Sequence, residues 1–211
     1  MHPTVFFDRI MIAAPRERIY RRLGYRPGVT CLPAGQEAEV EGYIADALSL
    51  INLRGAGRRL TVQTQPDAQV FLNGQDGEEV FHSRRLAAFL QECGEAVLMG
   101  ATAGEEVMAA IAGDVTGDRL TRGVVIDAVA SEMVDASLDW IMSYFSRELR
   151  RENKALKQHR YSAGYGDFRL ENQAALFRLL ELSRLGVQIT ASFLLIPEKS
   201  VTAIAGVISG S

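Results

Sequence analysis

The chain has 211 residues, enough to bury a sizeable core in one domain, or in one domain with a small lobe. With 47% hydrophobic and 23% charged residues it reads as an ordinary globular protein, which excludes the disordered, collagenous and coiled-coil classes. The formal net charge is −3 and basic residues are dispersed except around Arg147 to Arg160, so a nucleic-acid partner is not expected.

In chain order, Arg16 to Leu23 forms a short basic helix that Gly24 closes and Pro27 prevents from continuing. The stretch from Gln36 to Leu50, "QEAEVEGYIADALSL", carries acids early and apolar residues at mixed spacing, which predicts a helix running into a strand. "RLTVQT" (59–64) and "AQVFL" (68–72) are β-rich pieces that predict a hairpin, and Asn-Gly and Asp-Gly in "NGQDGEE" mark turns after it. Ser83 is a fitting N-cap for a helix whose Leu86, Phe89 and Leu90 share a face before Gly94. "EAVLMGATAG" reads as a buried strand and "AGEEVMAAIAG" as the helix after it, with its glutamates at the dipole-favoured end.

The longest periodic segment runs from about Arg122 to Lys154, where Val134, Leu138, Ile141, Phe145 and Leu149 recur at steps of three and four. "LENQAALFRLLEL" predicts a further helix with Leu176, Leu179 and Leu180 on one face. "GVQITASFLLI" alternates like a half-buried strand, Pro197 to Lys199 turns the chain, and "SVTAIAGVI" is expected to return as that strand's partner. Without regular βαβ alternation, this order predicts an α+β fold around an antiparallel sheet. Residues 1–211 are expected to form one domain, with 1–35 a less tightly packed segment.

Several chemistries are excluded. "GATAG" lacks the Lys and Ser or Thr of a phosphate loop, and "GYGD" lies between helices, outside the strand-turn-helix setting of a dinucleotide fingerprint. Cys31 and Cys93 stand far apart, and His2, His82 and His159 have no ligand spacing, so neither a metal site nor a disulfide framework is indicated. No DxHxxG motif is present to carry a corrinoid, and no GxSxG elbow to support covalent hydrolysis. The N-terminus lacks a signal-peptide pattern and no stretch reaches the ~18 apolar residues of a membrane span, so a cytoplasmic location without membrane association is expected.

The segment that draws attention is "RYSAGYGDFRLENQ", Arg160 to Gln173. Arg160 offers a planar fork of donors for a carboxylate, Gly164 permits positive φ or close backbone approach, and Tyr165 offers a flat face to a purine or a cation. Those features suit a zwitterionic, aromatic, cationic small molecule. The same spacing equally describes a rigid turn.

"RYSAGYGDFRLENQAALFRLL" followed by "RLGVQITASFLLIPEKSVTAIAG" resembles the activation domain of cobalamin-dependent methionine synthase, in which an R-x-S-P-G-Y motif precedes a helix and then a strand pair. "RRLGY", "SRRLAAFLQECGEAVLMGATAG" and "DAVASEMVDASLDWI" extend the likeness to that family's short standalone members over nearly the whole chain. The resemblance implies a single C-shaped domain with a bent antiparallel sheet packed against helices. It implies binding of S-adenosylmethionine to remethylate cobalamin oxidised to its cob(II) state. The cobalamin would be presented by a corrinoid-bearing methionine synthase or a related corrinoid protein, and the electron would come from a donor such as flavodoxin.

Carried over by motif, Arg160 would hold the methionyl carboxylate, the backbone at Ser162 would contact the adenosyl part, and Gly164 and Tyr165 would complete the wall. Asp135 aligns with an acidic family position that touches the ligand's amino group, with Glu132 and Asp139 as near neighbours. Such a methyl transfer needs no acid or base, only donor and acceptor held in line, so no separate catalytic residue is expected. Ala163 replaces the family's proline, and the family's C-terminal extension with a further tyrosine has no counterpart up to Ser211. These departures motivate an alternative, a non-catalytic binding or assembly module for a corrinoid protein that has lost use of S-adenosylmethionine.

Overall fold

In the computed structural model, which describes residues 2–31, 33–74 and 77–210, the chain begins with β1 (Val5–Phe7), α1 (Arg16–Arg22) and α2 (Ala34–Leu50). Next come β2 (Arg54–Thr64), β3 (Gln69–Gly74), β4 (Gly77–His82), α3 (Arg84–Leu90), β5 (Glu95–Thr102), α4 (Glu106–Thr116) and α5 (Leu120–Arg150). The last elements are β6 (Lys154–Leu156), α6 (Gln173–Leu179), β7 (Gln188–Ile189), β8 (Leu195–Ile196) and β9 (Ser200–Ser209). The expected hairpin is present as β2 and β3, paired from Thr61–Asn73 to Thr64–Val70. Gln75 and Asp76 of the "NGQDGEE" turn lie outside the described residues.

Antiparallel strands run in the order β4-β3-β2-β5-β9-β6, with β1 also on β2. With the helices this is an α+β fold. Strand β5 is flanked by β2 and β9, and its side chains are shared between both faces of the sheet. Val97, Met99 and Ala101 meet α2, α4 and α5 through Ile44, Val107 and Ile126. Ala96 and Leu98 meet Leu86 and Leu90 of α3 and Leu176 and Leu179 of α6. A strand covered on both faces reads as a continuous apolar run, which is why "EAVLMGAT" does not alternate.

The stripe of α5 is buried at all five expected positions. Full burial of such side chains favours the folded state by about 1.5–3 kcal/mol each. The helix lies so close to β2 that a Cβ on Gly57 would fall 2.2 Å from the Phe145 ring. Arg147 and Arg150 in its last turn complement the dipole where it ends. Ser83 accepts from the Leu86 backbone N–H and caps α3 as expected.

Three sequence expectations are corrected. Gln36 to Leu50 does not run into a strand: α2 is helical through Leu50, because Val40, Ile44, Ala47 and Leu48 repeat at helical spacing against the core. "GVQITASFLLI" is not one strand, and "SVTAIAGVI" is not its partner. That segment folds on itself, with Gln188 paired to Ile196 and Ile189 to Leu195, while β9 pairs with β5 and β6. The helix of "LENQAALFRLLEL" is also shorter than expected: 3-10 turns at Leu170–Asn172 and Leu182–Leu185 flank α6.

In the N-terminal region Phe7, Ile10 and Ile19 enter the core, whereas most positions from Arg26 to Glu39 are exposed. Among the described residues no helix is long and apolar enough to cross a membrane, and no group of His, Cys, Asp and Glu could hold a metal ion.

Candidate functional site

The segment that begins at Arg160 is a loop tied down at both ends. Tyr161 exchanges two backbone hydrogen bonds with Ile204 of β9, each 2.8 Å, so the loop starts as an added bridge on the sheet. At the far end Asp167 accepts from Ser83 Oγ at 2.6 Å, the Arg84 N–H at 2.8 Å and the Arg85 N–H at 3.3 Å. Those bonds, the Ser83 hydroxyl foremost, hold the Asp167 carboxyl below its ordinary range. Phe168 is fully buried and meets Phe81 edge-on, with ring centroids 5.2 Å apart.

Between these anchors the chain turns through left-handed conformations at Gly164 (φ +90°) and Gly166 (φ +60°). A Cβ on Gly166 would lie 2.7 Å from Arg85 Cδ and 2.8 Å from Tyr161 Oη, so a side chain there meets both strain and crowding. The Gly164 N–H donates to the Phe168 carbonyl at 2.8 Å. The rigid-turn description of this segment therefore holds, and it holds alongside an open concave surface.

That surface is a cleft of about 560 Å³ between the loop, α5, the start of α6 and the segment from Phe193 to Thr202. The volume falls within the usual range for small-molecule sites. Of the residues singled out from the sequence, Asp135, Arg160, Ser162 and Tyr165 line it together, and Tyr165 is 68% exposed at its edge. Gly164 is not among the lining residues; it shapes the turn that presents Tyr165.

The structure also sorts the three neighbouring acids of α5. Asp135 and Asp139, four residues apart on one helix face, both receive the Arg160 fork: Nη2 donates to Asp135 Oδ1 at 2.6 Å and Nη1 donates to Asp139 Oδ1. Burial of the guanidinium opposes its charge, but the bonds to the two aspartates outweigh that and raise its pKa. Glu132 turns away to α1 and pairs with Arg22 Nε at 2.6 Å. From α1 as well, Arg18 Nη1 reaches Asp139 at 3.1 Å and Asp135 at 3.5 Å. Two arginines thus share two aspartates at one end of the cleft.

Four contributors, Arg18, Phe193, Gln173 and Thr202, were given no role from the sequence, although Gln173 closes the "RYSAGYGDFRLENQ" segment. Asp139 was legible as the i+4 partner of Asp135, but Arg18 is 121 positions away from it. Phe193 reaches the cleft from a non-glycine left-handed conformation (φ +64°), in a turn where Thr190 Oγ1 accepts from the Leu194 N–H at 3.0 Å. Gln173, at the first position of α6, lines the cleft beside Thr202 of β9, whose hydroxyl donates to its Oε1 at 3.0 Å. His82 and His159 are exposed and outside the cleft.

No protein-family model matches the chain, and no curated protein matches it. Among solved structures, it is similar to the crystal structure of the MetH reactivation domain bound to AdoHcy. The TM-score is 0.68 at 14% identity, over 97% of this chain and 78% of that one. At that identity the likeness establishes a shared fold.

Proposed function

We propose that the protein binds S-adenosylmethionine in this cleft and supports reductive remethylation of cob(II)alamin on a corrinoid-bearing methionine synthase. The observation that carries the reading is the pairing of Arg160 with Asp135 at the end of a cleft whose lining includes the apolar Leu138, Leu170, Phe193 and Leu195. An amino-acid zwitterion entering there exchanges one ion pair for two: its carboxylate takes the Arg160 fork and its ammonium takes Asp135. Asp139 stays balanced by Arg18. The fold shared with a domain solved with AdoHcy supports the same ligand class.

The sulfonium would supply the methyl group, and cobalamin held by the partner would accept it after a one-electron reduction by a donor such as flavodoxin. The chain's own residues bind and orient. Arg160 and Asp135 fix the methionyl end, the Ser162 backbone and Tyr165 hold the nucleoside, and the anchored loop keeps that wall from shifting. No residue has to move a proton, so positioning is the whole contribution. Isothermal titration with S-adenosylmethionine tests the binding step, and no heat at millimolar ligand sinks the reading. Mixing the protein with a cob(II)-form methionine synthase, a reductant and S-adenosylmethionine tests the function, with return of methyl transfer as the expected result.

A second reading has its own observation. Arg160 already satisfies its fork on Asp135 and Asp139, so the ion cluster is also a self-sufficient structural tie between α5 and the loop. A non-catalytic assembly module for a corrinoid protein would keep that tie without the ligand. Capture of a corrinoid protein that does not depend on S-adenosylmethionine favours this reading.

A further inference from the structure

The charged end of the cleft accounts for an amino-acid group, but it does not say how the rest of a ligand is read. Gln173 does. Its side chain is in the cleft lining, yet the residue is only 5% exposed. Thr202, itself buried on β9, donates to Oε1 and fixes the amide. The Nε2 group donates to nothing among the described residues, and it is not one of their fully buried unpaired atoms, so it reaches the open cleft. In the free protein that donor is left to water, and a ligand that displaces the water must replace the hydrogen bond or forfeit it. A donor pair that opens into the cleft, with its acceptor end clamped by Thr202, is oriented toward an acceptor arriving there.

The surroundings define that acceptor. Arg160 is the cation for a carboxylate, whereas the Gln173 amide is neutral, and the same cleft carries apolar faces from Ala163, Leu170 and Leu195 beside the polar Ser162, Glu198 and Ser200. A flat ring bearing a neutral, in-plane acceptor meets both conditions, and a purine ring nitrogen is such a group.

We infer that Gln173, held by Thr202, is the specificity-determining residue of the cleft and donates from Nε2 to a purine ring nitrogen of the ligand. The inference rests on the nucleoside-sulfonium reading above. It goes beyond that reading in assigning base discrimination to a residue outside the Arg160–Tyr165 motif. Oxidised or acceptor-poor bases would be rejected, because the amide would then stay unpaired.

The test is calorimetric titration of the wild-type protein and Gln173→Met with AdoHcy and its 1-deaza, 3-deaza and 7-deaza adenine analogues. One of the three analogues is expected to bind the wild type about tenfold more weakly than AdoHcy, the size of one lost hydrogen bond. That same analogue should show no further loss against Gln173→Met, while the other two change alike in both proteins. Gln173→Glu keeps the volume, replaces donors by acceptors, and should lose more than tenfold toward AdoHcy; it serves if the Met variant does not fold. If AdoHcy binds but every analogue stays within twofold of it on the wild type, the assignment of Gln173 is overturned and the ligand reading survives. If the wild type binds neither AdoHcy nor S-adenosylmethionine, both fall together.

Discussion

The two walls of the cleft are built in opposite ways. The Tyr161–Phe168 wall is over-determined: a backbone bridge to β9, three hydrogen bonds on Asp167, and a buried Phe168 hold a turn that two glycines make possible. The Thr190–Lys199 wall has two-residue strands, one side-chain-supported turn, and Phe193 in a conformation that L-residues disfavour. Rigidity on the first side suits a group that must be positioned, and strain on the second marks a side chain retained for where it points.

Substitutions can break this contrast, and Phe168→Ala should do the most. Removing a fully buried ring is expected to cost about 3–5 kcal/mol of stability, read as a lower denaturant midpoint, and to abolish ligand binding as the loop loosens. Arg160→Ala acts on the site itself and should weaken S-adenosylmethionine by about 1.5–3 kcal/mol in a titration; unchanged affinity removes Arg160 from the site.

Phe193→Gly sharpens the contrast on the weaker wall. Relief of the left-handed backbone favours the variant by about 1 kcal/mol, which offsets lost ring contacts, so thermal stability should hold while affinity falls. A variant that loses stability as Phe168→Ala does would show the two walls to be alike.

The smallest expected effect is that of Asp167→Asn, and it has a pH signature. The folded carboxyl has a lowered pKa, so its contribution is present in full above the ordinary aspartate value and is lost as pH falls through the folded one. The stability difference between wild type and Asp167→Asn should therefore be largest near neutrality and vanish in acid, measured by denaturant unfolding at several pH values.

Legibility followed the range of the interactions. The Ser83 cap, the α5 stripe and the turn glycines are set within a few residues, and each was readable. The extent of α2 was misread because its Ile44–Leu48 segment carries enough apolar residues to suit a strand, and the helical spacing of Val40, Ile44, Ala47 and Leu48 stands out only once that face is seen against the core. The partner of β9 was misread for a different reason. Adjacency in sequence favoured the "GVQITASFLLI" segment, while the actual neighbours are β5 and β6; on the β5 side Ser200 lies across from Thr102 and donates to its hydroxyl at 2.9 Å.

By itself, the sequence determined the α+β class and the buried face of α5, and it singled out a glycine-bearing segment with Arg160, Ser162, Gly164 and Tyr165. Each of these depends on periodicity or on local backbone geometry. Only the tertiary structure decided that Asp139 and Arg18 share the charge at one end of the cleft, and that Phe193, Gln173 and Thr202 face it. Those residues come from separate elements, and no pattern within a segment records which distant side chains a folded sheet will bring together.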